Sequence, residues 1–443
     1  MRSKTFHGGI HPPEEKSSTE NLAFELMPLP KQVILPLSQH VGKQSSPLVK
    51  KGAVVTSGML VAQADGFISA PVYSPVSGTV ASLGKEPNSS GFPKDAIVIT
   101  VNGQTENTFF EPMDFETISS EEIRERVKDA GIVGQGGAAF PTFVKLSPPS
   151  DKKIDYVILN GCECEPYLTR DFRFMMERPE AVIGGLKLIM RAIGVSKGVI
   201  GIENNKPGAI ELLSKHTVNQ NNLEVVSLKT KYPQGAEKML IKAVTGKEVP
   251  PGKLPMDVGA VIQNIGTAVA IYDAVVKGEP SITAALTVTG KGIKNPKNLI
   301  VPVGTTITDV LEYCGGVTED AVKVIVGGPM MGVAQYDLSA PVMKATSGIV
   351  VLTKDEVEQQ PDTACLKCGQ CVDVCPLNLM PTRLVRYSQL DRFEDAEQLG
   401  ITVCMECGTC AYTCPANIPL VQWLRLGKQE VLKMQRERAA STK

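Results

Sequence analysis

The sequence predicts a multidomain α/β protein with four parts: an N-terminal β barrel or sandwich, an α/β domain with a parallel sheet, a β-rich module around one helix, and a C-terminal cysteine-rich domain. Three observations carry this. The chain has 443 residues, room for two to four domains at roughly 100–200 residues each. From about residue 152 to 274, apolar runs alternate with amphipathic ones, the order of strands and crossover helices in a parallel sheet. Eight of the 11 cysteines lie between Cys365 and Cys414. The boundaries drawn are 1–110, 111–280, 281–355 and 356–443.

Taken in order, the chain starts Met1-Arg2-Ser3-Lys4-Thr5-Phe6-His7-Gly8-Gly9. That start lacks the apolar core of a secretory signal, so the cysteines are expected in a reducing compartment, where patterned thiols mean metal or redox chemistry. Residues 30–105 hold short β-rich pieces separated by Gly and Pro, such as Ala70-Pro71-Val72-Tyr73-Ser74-Pro75-Val76-Ser77-Gly78-Thr79-Val80. Strands are expected over 154–159, 198–202 and 223–228, and helices over 181–193, from 209, and over 236–244. Residues 285–353 return to β character around one helix at 307–313, with Gly turns at 290, 292, 315–316 and 327–328; composition alone supports a compact α+β connector. After the cysteines, Leu420, Leu424, Val431 and Met434 recur at mostly helical spacing beside Trp423. From Leu424 onward six basic residues (Arg425, Lys428, Lys433, Arg436, Arg438, Lys443) face two acidic ones (Glu430, Glu437). The stripe fits a helix packed on its own domain; the alternative is a basic arm docking on membrane partners.

Charge excludes several functions. With 46 Lys+Arg against 47 Asp+Glu, the net charge is −1, without the basic excess of a nucleic-acid binder. An apolar content of 42% with 21% charged residues is globular. No run of about 18 apolar residues exists, since 258–276 is broken by Gln263, Asn264 and Asp273. The histidines at 7, 11, 40 and 216 are scattered, and 246–253 fails as a P-loop because Leu254 stands where Ser or Thr is needed.

The cysteines share one grammar: Cys365-x2-Cys368-x2-Cys371-x3-Cys375-Pro376, then Cys404-x2-Cys407-x2-Cys410-x3-Cys414-Pro415, each pair offset by 39 residues (404 − 365). This is an internal duplication. Such spacing wraps three thiolates around a cubane, while the fourth cysteine ligates the other cluster in two-cluster ferredoxins. Cys365, Cys368, Cys371 and Cys414 are therefore assigned to one [4Fe-4S] cluster, and Cys404, Cys407, Cys410 and Cys375 to a second. The rival reading is two structural zinc sites. Cys162, Cys164 and Cys314 lack this spacing and read as small buried hydrophobes.

A second signal is Gly134-Gln135-Gly136-Gly137-Ala138-Ala139-Phe140-Pro141-Thr142, with Lys145 beyond. Three glycines let backbone N–H groups approach an anion, and the lysine adds a charge for phosphate; the alternative is a plain turn. Asn160-Gly161-Cys162-Glu163-Cys164-Glu165-Pro166 follows the strand at 154–159, where ligands of α/β sheets bind. Glu163 and Glu165 are placed to hydrogen-bond ribose or ring groups, or else form a solvated acidic loop.

These segments resemble the flavin-binding subunit of respiratory complex I through Gly134, Gly136, Gly137, Phe140, Pro141 and Thr142, then Asn160, Glu163, Glu165 and Pro166. Tyr232-Pro233-Gln234-Gly235-Ala236-Glu237 and Ile262-Gln263-Asn264 are similar to two further motifs of that family. The resemblance implies that Gly134, Gly136, Gly137, Lys145, Asn160, Glu163, Gly235 and Asn264 hold FMN, and that Phe140, Glu165 and Glu237 face NAD(H). Gln135, Cys162, Ala236 and Gln263 depart from the family pattern. Pro75-Val76-Ser77-Gly78-Thr79-Val80 resembles the half-barrel of biotinyl and lipoyl domains, yet no Lys lies between Val61 and Gly84 to carry their swinging arm. Residues 285–353 resemble the soluble-ligand-binding β-grasp (SLBB) module.

Over nearly its whole length, including Phe6-His7-Gly8-Gly9-Ile10-His11-Pro12-Pro13, the chain is similar to the C subunits of the Rnf ion-translocating ferredoxin:NAD oxidoreductase. That resemblance implies two [4Fe-4S] clusters, FMN, NAD(H) as substrate, a ferredoxin-like partner among the other Rnf subunits, and peripheral attachment to the cytoplasmic side of the cell membrane. Cobalamin reductases of bacterial microcompartments share most of this layout and are the competing reading, along with a non-enzymatic relay whose flavin site has decayed.

Overall fold

The structure, a computed structural model, describes residues 3–104, 106–357 and 361–441; Met1, Arg2 and Lys443 fall outside them. At its centre four parallel strands run in the order Leu223–Leu228, Gly198–Glu203, Tyr156–Gly161, Ala260–Asn264. The middle strands are near-continuous apolar runs because helices cover both faces. The helix expected over 181–193 is Pro179–Ile193, opened by Pro at its first turn and stopped by Gly194 at φ 80°. It packs on the helix Ile265–Val276 so closely that a Cβ at Gly185 would lie 2.1 Å from the Ala268 carbonyl oxygen. The stretch 258–276, too polar to span a membrane, is the strand Ala260–Asn264 running into this helix. Asn264 caps the helix by accepting from the Gly266 N–H at 2.8 Å.

The β-rich segment forms two small antiparallel sheets. One runs in the order Gln32–Pro36, Lys94–Val101, Gly78–Glu86, Val54–Val55, and the other Ser46–Pro47, Leu60–Gln63, Val72–Tyr73. The residues before them run elsewhere: Lys4 bridges to Leu228 and Ile10 to Tyr232, and Phe24–Leu26 joins the edge of a six-stranded sheet. That sheet continues through Lys297–Pro302, Thr283–Thr289, Gly348–Thr353, Ala321–Val326 and Val333–Gln335, with Ile307–Tyr313 as its expected helix. This module is more than a connector. Leu286, Val288, Leu299 and Val351 share one apolar core with Val33, Leu35, Ile97 and Ile99 of the barrel.

Lys344 joins three parts of the chain. It is 2% exposed, and its amine donates to the carbonyls of Pro71 in the barrel at 2.7 Å and Gly131 in the α/β domain at 2.8 Å. Burial lowers its pKa from 10.5 to about 7. Between those values the unfolded chain holds a proton that the native chain lacks, so stability rises with pH across that window. Lys344→Met should flatten this dependence; thermal melts from pH 7 to 10 that keep the wild-type slope would contradict it.

The duplication in the C-terminal domain extends to backbone geometry. Lys367 and Glu406 both take positive φ (55° and 59°), as do Asn378 and Asn417 (53° and 51°), each pair 39 residues apart (406 − 367, 417 − 378). Short helices Gln370–Asp373 and Thr409–Tyr412 repeat at the same offset. The final helix, Leu420–Ser441, buries Leu420, Leu424 and Val431. Arg425 and Lys428 pair with Glu406 at 3.0 and 2.9 Å, and Arg438 pairs with Glu397 at 2.8 Å. The apolar stripe thus faces its own domain, and Arg425, Lys428 and Arg438 are tied internally rather than presented as a docking arm. Among the described residues no helix is long and apolar enough to cross a membrane.

Candidate functional site

The glycine-rich loop rises between the helices Ser120–Asp129 and Thr142–Lys145, closed on itself by the Gly134 N–H to the Phe140 carbonyl at 2.9 Å. Gly136 and Gly137 are exposed. A Cβ on Gly137 would meet nothing within 4 Å, whereas one on Gly136 would lie 2.9 Å from the Asn264 Cβ. The loop is thus a backbone cradle open on one side and walled on the other by Asn264.

That wall is rigid. Asn264 donates to Asp171 at 2.6 Å and accepts from Arg170 at 3.1 Å, while Arg170 also bonds Asp171 and the Gln135 carbonyl at 3.2 Å. Arg170 and Asp171 are both buried. The structure therefore brings Gly134, Gly136, Gly137, Asn160 and Asn264 to the carboxyl ends of the strands Tyr156–Gly161 and Ala260–Asn264. Sequence reasoning missed Arg170, Asp171 and Thr267, whose hydroxyl accepts from the Gln135 N–H at 3.0 Å. Nothing in their spacing separates them from ordinary helix residues.

Lys145 reaches Glu237 at 2.5 Å and the Ile262 carbonyl at 3.2 Å, so one residue expected at FMN and one expected at the nucleotide form a single ion pair. Asn160 donates to the Gly235 carbonyl at 2.7 Å, closing the acidic loop onto the Tyr232–Glu237 motif. Glu163 accepts from the Asp171 N–H at 2.6 Å at the start of the helix Arg170–Glu177. Burial raises its pKa, against the opposing pull of Lys16. Lys16, also missed, is buried and donates to the carbonyls of Glu163, Glu165 and Leu168, fixing the loop from behind.

Glu165 departs from expectation. Its two oxygens accept from the N–H groups of Met330 and Met331 at 3.0 and 2.9 Å, in the Gly327–Gly328 turn of the β-grasp module. Its carboxylate is committed to that turn instead of standing free for a nucleotide. A Cβ on Gly328 would come within 2.3 Å of it, so the turn needs glycine there. Burial lifts its pKa to about 7 even with both N–H donors holding it down.

Cys375, Cys404, Cys407 and Cys410 together line one pocket, with Leu379, Leu384, Val421 and Leu424 supplying its apolar wall. Cys375 thus sits with the second run. Burial pushes the Cys404 thiol up to about 11 and Cys410 up to about 12, so their thiolates need a bound cation's charge. In both runs an N–H two residues on points at the first sulfur, Lys367 to Cys365 and Glu406 to Cys404, each at 3.4 Å. Among the described residues no three His, Cys, Asp or Glu side chains converge on a single-ion site, and the two Cys-x2-Cys-x2-Cys-x3-Cys runs suit a cubane. Cys365 and Cys368 are exposed, Cys371 and Cys414 half-buried. Cys162 and Cys314 are buried as expected, but the Cys164 sulfur accepts from the Gly235 N–H at 3.3 Å.

The two sites touch. The Tyr232 hydroxyl donates to the Cys407 carbonyl at 2.7 Å, and Tyr232, Cys407, Ile10, Cys164 and Met330 form one apolar cluster. The N-terminal arm seals it: the Gly9 N–H bonds the Val374 carbonyl at 2.9 Å, and the Ile10 N–H bonds the Tyr232 carbonyl at 2.8 Å.

Family models match along the chain in the order RnfC barrel sandwich hybrid domain (residues 4–104), Nuo51 FMN-binding domain (127–273), SLBB domain (286–334) and 4Fe-4S dicluster domain (355–418). The C subunit of the proton-translocating ferredoxin:NAD(+) oxidoreductase complex of Clostridium ljungdahlii is 47% identical, over 89% of this chain and 86% of its own. Its counterpart in the Na(+)-translocating complex of Acetobacterium woodii is 46% identical over 99% of both chains. Among solved structures, an NAD+-reducing [NiFe]-hydrogenase in the air-oxidized state superposes with a TM-score of 0.51 at 21% identity, over 71% of this chain and 63% of that one, a likeness of fold.

Proposed function

The chain belongs to the family of C subunits of ion-translocating ferredoxin:NAD(+) oxidoreductase complexes, and on that premise we propose that it passes electrons between NAD(H), FMN, two [4Fe-4S] clusters and a ferredoxin-like subunit, as a peripheral subunit on the cytoplasmic side of the membrane. The observation that carries this is the direct seat of the flavin-type domain on the cluster domain through Tyr232 and Cys407.

Bound FMN supplies the exchange between a two-electron hydride and single electrons. In this proposal the N–H groups of Gly134, Gly136 and Gly137, with Lys145, hold its phosphate, while Asn160, Glu163, Gly235 and Asn264 line the rest. A phosphate there competes with Glu237 for the Lys145 amine, freeing that carboxylate to accept from ribose hydroxyls. Phe140 and Glu237 face the nucleotide; Glu165 holds the β-grasp turn against the loop. Apolar Ile10, Met330 and Tyr232 keep water from the gap between the flavin domain and Cys407.

The geometry supports an order of stations. The cluster of Cys375, Cys404, Cys407 and Cys410 abuts the flavin domain, whereas Cys365 and Cys368 are exposed beside Leu366, a surface where a redox partner can approach. The test is cofactor content and location. The chain handled without oxygen should carry about eight irons and bound FMN, and sediment with membranes together with integral subunits. Stoichiometric zinc, or recovery wholly in the soluble fraction, would contradict the proposal.

Tyr232→Phe removes only the hydroxyl bonded to Cys407. Rapid-mixing experiments should show cluster reduction by NADH slowed several-fold, with flavin and iron content unchanged. An unchanged rate would reduce that hydrogen bond to a purely structural tie.

A further inference from the structure

The barrel hairpin between Leu60–Gln63 and Val72–Tyr73 carries an aromatic at its tip, and that tip rests on the flavin-type domain. Phe67 is 68% exposed. It meets Phe143 nearly perpendicularly, centroids 5.7 Å apart and planes at 80°. Phe143 belongs to the helix Thr142–Lys145, three residues from Phe140 and two from Lys145. Lys128 extends over the same Phe143 ring at 5.9 Å. An open aromatic ring and a cation thus stand together beside the glycine-rich loop.

The hairpin is held in place. Lys344 ties its Pro71 carbonyl to that of Gly131, three residues before the loop begins at Gly134. His40 accepts from the Ala70 N–H at 3.0 Å, and the Lys43 N–H bonds the Ile68 carbonyl at 2.9 Å. Lys43 also pairs with Asp65 at 2.8 Å. A tip pinned this firmly yet left open is suited to receive something flat.

We propose that the turn 65–69 of the barrel is a wall of the dinucleotide site and that Phe67 stacks on the adenine of NAD(H), with Lys128 beside the pyrophosphate. This rests on the reading that the glycine-rich loop takes NAD(H) next to FMN. Aromatic rings bind bases through their faces, and the pinned hairpin serves as a fixed platform for one. The barrel then helps bind substrate in addition to its structural role.

The test uses the full chain with its cofactors, comparing wild type, Phe67→Ala and Phe67→Trp. Calorimetry with ADP-ribose, which binds without redox chemistry, should show affinity falling about tenfold in Phe67→Ala and recovering in Phe67→Trp. In dye-reduction assays the KM for NADH should rise by a similar factor at unchanged kcat. The KM for reduced nicotinamide mononucleotide, which lacks adenine, should stay constant. Unchanged ADP-ribose affinity in Phe67→Ala, or an equal rise in KM for both donors, would overturn the proposal. Wild-type chain that neither binds ADP-ribose nor oxidises either donor would overturn the underlying reading as well.

Discussion

Cys375→Ala is expected to yield a chain with about four irons in place of about eight, the survivors held by Cys365, Cys368, Cys371 and Cys414. Cys375 lies outside the second run in sequence but lines the cavity of Cys404, Cys407 and Cys410, so its loss opens that cluster. Because this cluster abuts Tyr232, the variant should keep NADH-dependent reduction of small dyes that take electrons at the flavin, while NADH reduction of the remaining cluster collapses. Iron analysis with EPR of the reduced protein checks both. Loss of the Cys365 cluster in its place would mean that each run is self-contained.

Gly136→Val should empty the flavin site, taking FMN from about one per chain to near none while leaving the irons in place. Its Cβ would fall 2.9 Å from the Asn264 Cβ and 3.0 Å from its amide nitrogen. Asn264 cannot withdraw without breaking its bonds to Arg170 and Asp171. The added branch would also crowd backbone meant to approach a phosphate. Flavin bound normally to Gly136→Val would move the site elsewhere.

Much of this was readable from sequence where the physics is local. The strand Leu223–Leu228 and the helix Ile307–Tyr313 fall where hydrophobic periodicity puts them, and the 39-residue repeat in cysteines reappears as repeated φ values. What sequence could not show depends on residues far apart. Lys16 is 147 residues from the Glu163 carbonyl it binds, and Glu165 meets a turn 165 residues away. The shared core of barrel and β-grasp module escaped for the same reason: each reads as a self-sufficient amphipathic set, and only packing shows that they bury one another. The C-terminal stripe followed the ordinary rule that such faces seek a core, and Arg425 and Arg438 were taken up by Glu406 and Glu397.

In the proposed relay a flavin-type site and a twin-cluster domain are joined at Tyr232 and Cys407. Its most direct test is an anaerobic single-turnover experiment in which NADH is mixed with wild-type chain carrying FMN and both clusters, following flavin and iron-sulfur absorbance together with EPR of frozen samples. Reduction of flavin followed by appearance of the Cys375–Cys404–Cys407–Cys410 cluster signal, both absent in Gly136→Val, is the predicted result. Flavin that reduces while both clusters stay oxidised, or clusters that reduce equally well in Gly136→Val, would contradict it.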